Sequence, residues 1–159
     1  MPPPQIALTT IQDLLEWFRV NLSTGNFTDP RNYRVRFNLY DFVHFIKLVN
    51  EYGEEPRNRK VAVENIRRGR IRMARWTYDD QRASELGWVS EVATNPDFIC
   101  SNWNALGEGD ECYVKNFGGN GLPNKYRVLV CVVRGTTRYG ITVFPCEIGA
   151  KERAHQIWP

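Results

Sequence analysis

Tyr126-Arg127-Val128-Leu129-Val130-Cys131-Val132-Val133-Arg134, followed through Gly135-Thr136-Thr137-Arg138 by Tyr139-Gly140-Ile141-Thr142-Val143-Phe144-Pro145, decides the fold of this 159-residue chain. Both runs are rich in β-branched and aromatic residues, and a short link containing glycine joins them, which is a hairpin signature. Strands are therefore expected over 125–134 and 139–148, with a third antiparallel neighbour over 110–117 and a Gly118-Gly119-Asn120-Gly121 turn between. Upstream, Asp79-Asp80 opens a helix whose apolar face carries Leu86, Val89 and Val92 and which Asn95-Pro96 stops. Acids at its start suit the positive end of the helix dipole.

The first half reads as helical. Thr9-Thr10-Ile11-Gln12 resembles a capping box, with Thr9 as cap, ahead of Leu14, Leu15, Trp17, Phe18 and Leu22 at helical spacing. Asn32 to Asn38 alternates Tyr33, Val35 and Phe37 with Arg34 and Arg36, a half-buried strand pattern. Leu39 to Val49 predicts a second helix and Val61 to Arg67 a short third. Ile71 and Met73 alternate with arginines, which suggests a strand over 70–75. The class is α+β: N-terminal helices packed on an antiparallel sheet of about four strands, in one domain spanning 1–159. Residues 1–8 read as a flexible lead, 70–148 as the core and 149–159 as a polar tail.

With 42% hydrophobic and 25% charged residues, the chain has ordinary globular values. The net charge is only +3, but it is unevenly placed. Arg57, Arg59, Lys60, Arg67, Arg68, Arg70, Arg72 and Arg75 cluster with a single acid, Glu64, so the remainder is net acidic. No stretch approaches the ~20 apolar residues of a membrane span, and the N-terminus lacks the features of a signal peptide. Cys100, Cys112, Cys131 and Cys146 show no C-x-x-C spacing and no matching histidines, which argues against zinc and fits a reducing, cytoplasmic setting.

The basic run suits phosphate, since guanidinium forks bind phosphate oxygens two at a time. Arg67, Arg68, Arg70, Arg72 and Arg134 are the candidate nucleic-acid contacts; the bland alternative is a solvated face. Thr142 stands in the last strand between apolar neighbours, where a hydroxyl could hold a phosphate oxygen, although a threonine in a strand is usually structural. Only two histidines occur, His44 and His155, and His44 falls within the second helix. Asp79 and Asp80 are adjacent, which on a helix aims them apart. No paired-carboxylate metal site, Gly-x-Ser-x-Gly or P-loop is present, so no metal and no cofactor is expected.

The segment Arg82 to Asp97, the Tyr113-Val114-Lys115 strand and the hairpin ending Ile141-Thr142-Val143-Phe144-Pro145 resemble the phage-encoded members of the barnase–EndoU–colicin D–RelE nuclease superfamily, over roughly residues 70–148. The resemblance implies a small metal-independent ribonuclease, often a toxin or prophage effector, with RNA bound on the sheet and a protein antitoxin or immunity partner. Active sites of that group combine His, Arg or Lys with a Thr or Ser late in the sheet. The positions that match here are Arg75, Arg82 and Thr142, then Lys115, with His44 where some members place a histidine. The chemistry suits those residues: the 2′-hydroxyl must lose a proton, the phosphorane must be stabilised and the 5′-oxygen must gain a proton. Two other readings compete: a non-catalytic nucleic-acid-binding module, and a phage or plasmid protein that inhibits a host protein.

Overall fold

The computed structural model describes residues 10–101, 110–118 and 125–159. The expected lead at 1–8, the Thr9 cap, the loop after Ser101 and most of the Gly118–Gly121 turn lie outside the described residues. Helices are α1 (Ile11–Phe18), α2 (Phe42–Phe45), α3 (Arg59–Arg67), α4 (Asp80–Ser84), α5 (Val89–Thr94) and α6 (Ala150–Arg153). Strands are β1 (Phe27–Thr28), β2 (Arg34–Phe37), β3 (Val49–Asn50), β4 (Trp76–Thr77), β5 (Phe98–Ser101), β6 (Glu111–Asn116), β7 (Tyr126–Arg134), β8 (Thr137–Cys146) and β9 (Gln156–Trp158).

An α+β class describes this architecture, but the sheet has seven strands where about four were expected, in the order β1-β2-β8-β7-β6-β5-β9. Strands β5 to β8 form an antiparallel meander. The extra strands come from its margins. β2 lies parallel to β8, from Arg34 opposite Thr137 to Phe37 opposite Gly140, and β1 pairs with β2. The segment read as a polar tail contributes α6 and β9, which pairs with β5. Residues 70–75 form no strand; β4 is confined to Trp76–Thr77 and pairs with β3 in a separate two-stranded sheet.

Helix boundaries follow local chemistry. Thr10 caps α1, its hydroxyl accepting from Asp13 N at 3.2 Å, and Ile11, Leu14, Leu15 and Phe18 face the core. Asn58 caps α3 and Asp79 caps α4. The helix expected from Asp79 through Val92 is broken into α4, a 3-10 turn over Glu85–Trp88 and α5; Gly87 sits in that break and weakens helical continuity. The second expected helix reduces to a 3-10 turn and α2, closed by Lys47 with φ of 53°.

Both faces of the sheet are covered, which is why β7 is apolar almost throughout. Ile99, Tyr113, Leu129, Cys131 and Val143 pack on the helices through Phe18, Phe42, Phe45, Val89 and Val92. On the other side Phe98, Cys100, Cys112, Val114, Val128 and Val130 form a second buried cluster, with Phe144 and Ile148 against it. The C-terminal segment closes over this cluster: the Arg153 guanidinium lies 4.5 Å from the Phe98 ring centre.

A bulge sets the phase of β8. Val130 pairs with Thr142 and Cys131 with Gly140, so Ile141 is the extra residue. Simple alternation puts Ile141 and Val143 on the helix side and leaves Thr142 with Gly140 on an open side. Instead, Ile141 joins the second cluster while Val143 belongs to the main core. Gly140 faces the core too, because a Cβ there would lie 2.5 Å from the Phe37 ring.

Candidate active site

Beyond Gly140, β8 has left β2, and α2 and α4 meet its outer side in place of a strand. Ile141 shares a groove of about 260 Å³ with Val132, His44 and Arg59. At the next position, Arg82 of α4 donates from Nη1 to Thr142 Oγ1 at 3.4 Å. Phe45, the neighbour of His44 on α2, lines the same narrow crevice as Arg82 and Val143. His44 and Arg59 thus line a groove at Ile141, and Arg82 bonds the hydroxyl of Thr142 at the next residue of the strand.

Each of these side chains is held. His44 Nδ1 lies 2.7 Å from Glu55 Oε1. A carboxylate only accepts, so Nδ1 carries the proton, and in the neutral ring the lone pair is on Nε2. Arg59 opens α3 and donates from Nη1 to Asp41 Oδ1 at 2.6 Å. Burial raises the Asp41 carboxyl above its ordinary value, a shift that the bond from Arg59 opposes only in part. Arg82 is positioned by the α4 cap, its own N–H bonding Asp79 Oδ1 at 3.0 Å. Thr142 is only 7% exposed.

The other expected residues lie elsewhere. Lys115 Nζ donates to Asn95 O at 2.8 Å and lies 3.7 Å from Glu91, fastening α5 to β6. Arg75 is exposed in the turn before β4; among the described residues it makes no hydrogen bond to Arg82 or Thr142. Arg67, Arg68, Arg70 and Arg72 are exposed along the end of α3 and the segment that follows. Arg134 is exposed at the end of β7, two residues beyond Val132 and hence on the same strand face as that groove wall. On the sheet face where RNA was expected to lie, Phe98, Cys112, Val114, Val128 and Val130 are buried, while Val132, Ile141 and Phe144 stay partly exposed.

Two buried ionic clusters frame the site. Glu85 receives both Nε and Nη2 of Arg127, at 2.7 and 3.0 Å, and the Arg127 guanidinium sits 5.4 Å from the Trp88 ring, which stacks on Phe117. At the hairpin end, Arg138 and Arg31 share Glu111, at 2.9 and 2.8 Å, and Arg31 and the Tyr113 hydroxyl share Asp29. Burial alone would raise the Asp29 and Glu111 carboxyls. The hydrogen bonds from Tyr113 and Arg31, and from Arg31 and Arg138, more than offset it and hold both below their ordinary values. Burial pushes the Tyr113 hydroxyl well above its ordinary value. These clusters fasten the β1–β2 loop and the 3-10 turn after α4 to the sheet.

Sequence reasoning missed Glu55, Asp41 and the role of Arg59, all of which lie far from their partners along the chain. Arg127 and Arg138 did carry a signal, because a charge inside an apolar strand needs a buried partner. Among the described residues no group of three or more His, Cys, Asp or Glu side chains is placed to hold a metal ion. Nor is any helix among them long and apolar enough to cross a membrane. Comparison with protein-family models, with curated proteins and with solved structures gave no match.

Proposed function

We propose that this protein is a metal-independent endoribonuclease whose site lies along β8 at Ile141 and Thr142. The observation that carries the reading is that His44 and Arg59 line a groove at Ile141 while Arg82 bonds Thr142 one residue further along β8, where the strand leaves β2. His44 Nε2 accepts the 2′-hydroxyl proton, with Glu55 fixing the ring. The 2′-oxygen attacks the adjacent phosphorus, the bond to the 5′-oxygen breaks, and that oxygen takes a proton from water, whose hydroxide then recovers the proton held by His44. The products are a 2′,3′-cyclic phosphate and a 5′-hydroxyl. Arg59 and Arg82 stabilise the phosphorane's charge, and Thr142 adds a hydrogen bond. Arg67, Arg68, Arg70, Arg72, Arg75 and Arg134 hold the flanking backbone. The resemblance to phage-encoded ribonucleases of the barnase–EndoU–colicin D–RelE type agrees with this chemistry, and with a toxin or effector role restrained by a protein antitoxin.

Incubation of the purified chain with total RNA and with transfer RNA in EDTA tests the reading. Cleavage leaving cyclic phosphate ends is expected from the wild type and is lost in His44→Ala. Cleavage that needs added magnesium, or that persists in His44→Ala, would overturn it. A second reading, a nucleic-acid-binding module without catalysis, is favoured by the low exposure of Thr142; it predicts salt-sensitive RNA binding and intact RNA after prolonged incubation.

A further inference from the structure

A cavity of about 320 Å³, lined in part by Glu55, lies between the start of α3 and the small β3–β4 sheet. Its volume falls in the ~300–1,000 Å³ range of small-molecule sites. Trp76 and Ile71 supply its apolar wall, and both also pack against the main core, which holds them in place. Asn50, cross-strand neighbour of Trp76, and Asn65 of α3 supply polar edges. The Asn50 Oδ1 accepts from the N–H groups of Tyr52 and Glu54, at 2.9 and 3.0 Å, which fixes the carboxamide. Among the described residues neither the Nδ2 of Asn50 nor either polar atom of the Asn65 carboxamide has a hydrogen-bond partner. Arg57 stands at the lining as a cation. Glu55 belongs to this lining and also bonds His44, so a single side chain links the cavity to the residue that lines the groove.

A flat, held aromatic wall beside unengaged carboxamides and an arginine matches one ligand chemistry. A nucleobase is a planar ring that stacks on tryptophan and carries an edge of alternating donors and acceptors, which carboxamides read; its sugar carries a phosphate that an arginine attracts. We infer that the Trp76–Asn65 cavity binds an unpaired nucleobase of the RNA, next to the phosphodiester held at His44. The inference rests on the ribonuclease reading and adds to it: the substrate is single-stranded at this position, because a paired base cannot enter.

The test uses the full chain carrying His44→Ala, in EDTA, titrated by calorimetry with each of the four ribonucleoside 3′-monophosphates. Saturable binding is expected. Trp76→Leu should weaken it by roughly ten- to a hundredfold, as expected for loss of one base–aromatic stack, and Asn65→Ala should change the order of preference among the bases. Circular dichroism identifies a Trp76 variant that fails to fold, in which case the Asn65 variant decides. No saturable binding of any monophosphate, or variants that bind as the parent does, overturns the inference. Binding that responds to these variants in a protein whose wild type leaves RNA intact supports the cavity and sinks the catalytic reading. Cleavage without monophosphate binding does the reverse.

Discussion

Thr142 and Arg82 are the residues whose contact is most readily tested, because it joins two chain segments sixty positions apart through one long hydrogen bond of 3.4 Å. A bond of that length contributes little to folding. In the proposed transition state the same groups face a charged oxygen, where a hydrogen bond is worth roughly 1–3 kcal/mol. Thr142→Val keeps the shape and removes the hydroxyl, so single-turnover cleavage in EDTA should fall about ten- to a hundredfold while the melting temperature moves little. Arg82→Ala should fall at least as far. A Thr142→Val rate equal to wild type would remove the hydroxyl from the mechanism. Part of this site was legible in the sequence: Thr142 by its polarity in an apolar strand, Arg82 by its place at a helix start, His44 by rarity. Glu55 and Arg59 were not, since nothing local connects a charged loop to a histidine eleven residues earlier. Lys115, the weaker candidate on the middle strand, has its ammonium bonded to Asn95 O at the end of α5.

At the scale of elements, periodicity succeeded where an element was long enough to show a period. The three main strands and α1 lie close to where their patterns put them. The two-residue strands β1, β3 and β4 and the three-residue β9 are too short to alternate, and they exist only because a neighbour supplies hydrogen bonds. The bulge at Ile141 shows why a correctly located strand can still be misread: one extra residue reverses which side chains face the core. Gly140 is the element-scale counterpart of that bulge. A methyl group there meets the Phe37 ring at 2.5 Å and Leu129 at 3.1 Å, so Gly140→Ala should cost about 1–3 kcal/mol in urea unfolding, as overpacking does. An unchanged midpoint would mean that β2 is free to shift along β8. The basic element makes its own prediction. Arg67 and Arg68 are exposed and, among the described residues, bridge only to Glu64, at 2.9 and 3.8 Å, and such surface pairs are worth ~1 kcal/mol or less. They can be given up to phosphate. Replacing Arg67, Arg68, Arg70 and Arg72 with alanine should weaken RNA binding and flatten its dependence on salt by about one counterion per lost contact. Equal salt slopes would place the RNA elsewhere.

Over the whole molecule, buried ion pairs join parts of the chain that the apolar core packs together. Glu111 on β6 gathers Arg138 from β8 and Arg31 from the β1–β2 loop, so one carboxylate ties the first strands to the centre of the sheet. Asp29 repeats the device through Arg31 and Tyr113. Both carboxyls are held below their ordinary values of 3.8 and 4.5. In the unfolded chain they protonate near those values; in the folded protein they resist until the pH is lower. Between the two, the unfolded state binds more protons, and acid favours unfolding. The contribution of the pair is therefore complete at neutral pH, begins to fade as the pH falls through about 4.5, and is lost below the folded values. Glu111→Gln isolates it. The variant leaves two buried guanidinium groups without their shared anion and should lose about 3–5 kcal/mol at neutral pH. Because Glu111 no longer titrates, its stability should also decline less steeply than the wild type's from about pH 5 to about pH 3. Urea unfolding of both proteins across that range measures the difference directly. If the two curves run parallel, Glu111 is not a source of the acid sensitivity, and the carboxylate that joins the N-terminal strands to the sheet does so without a depressed pKa.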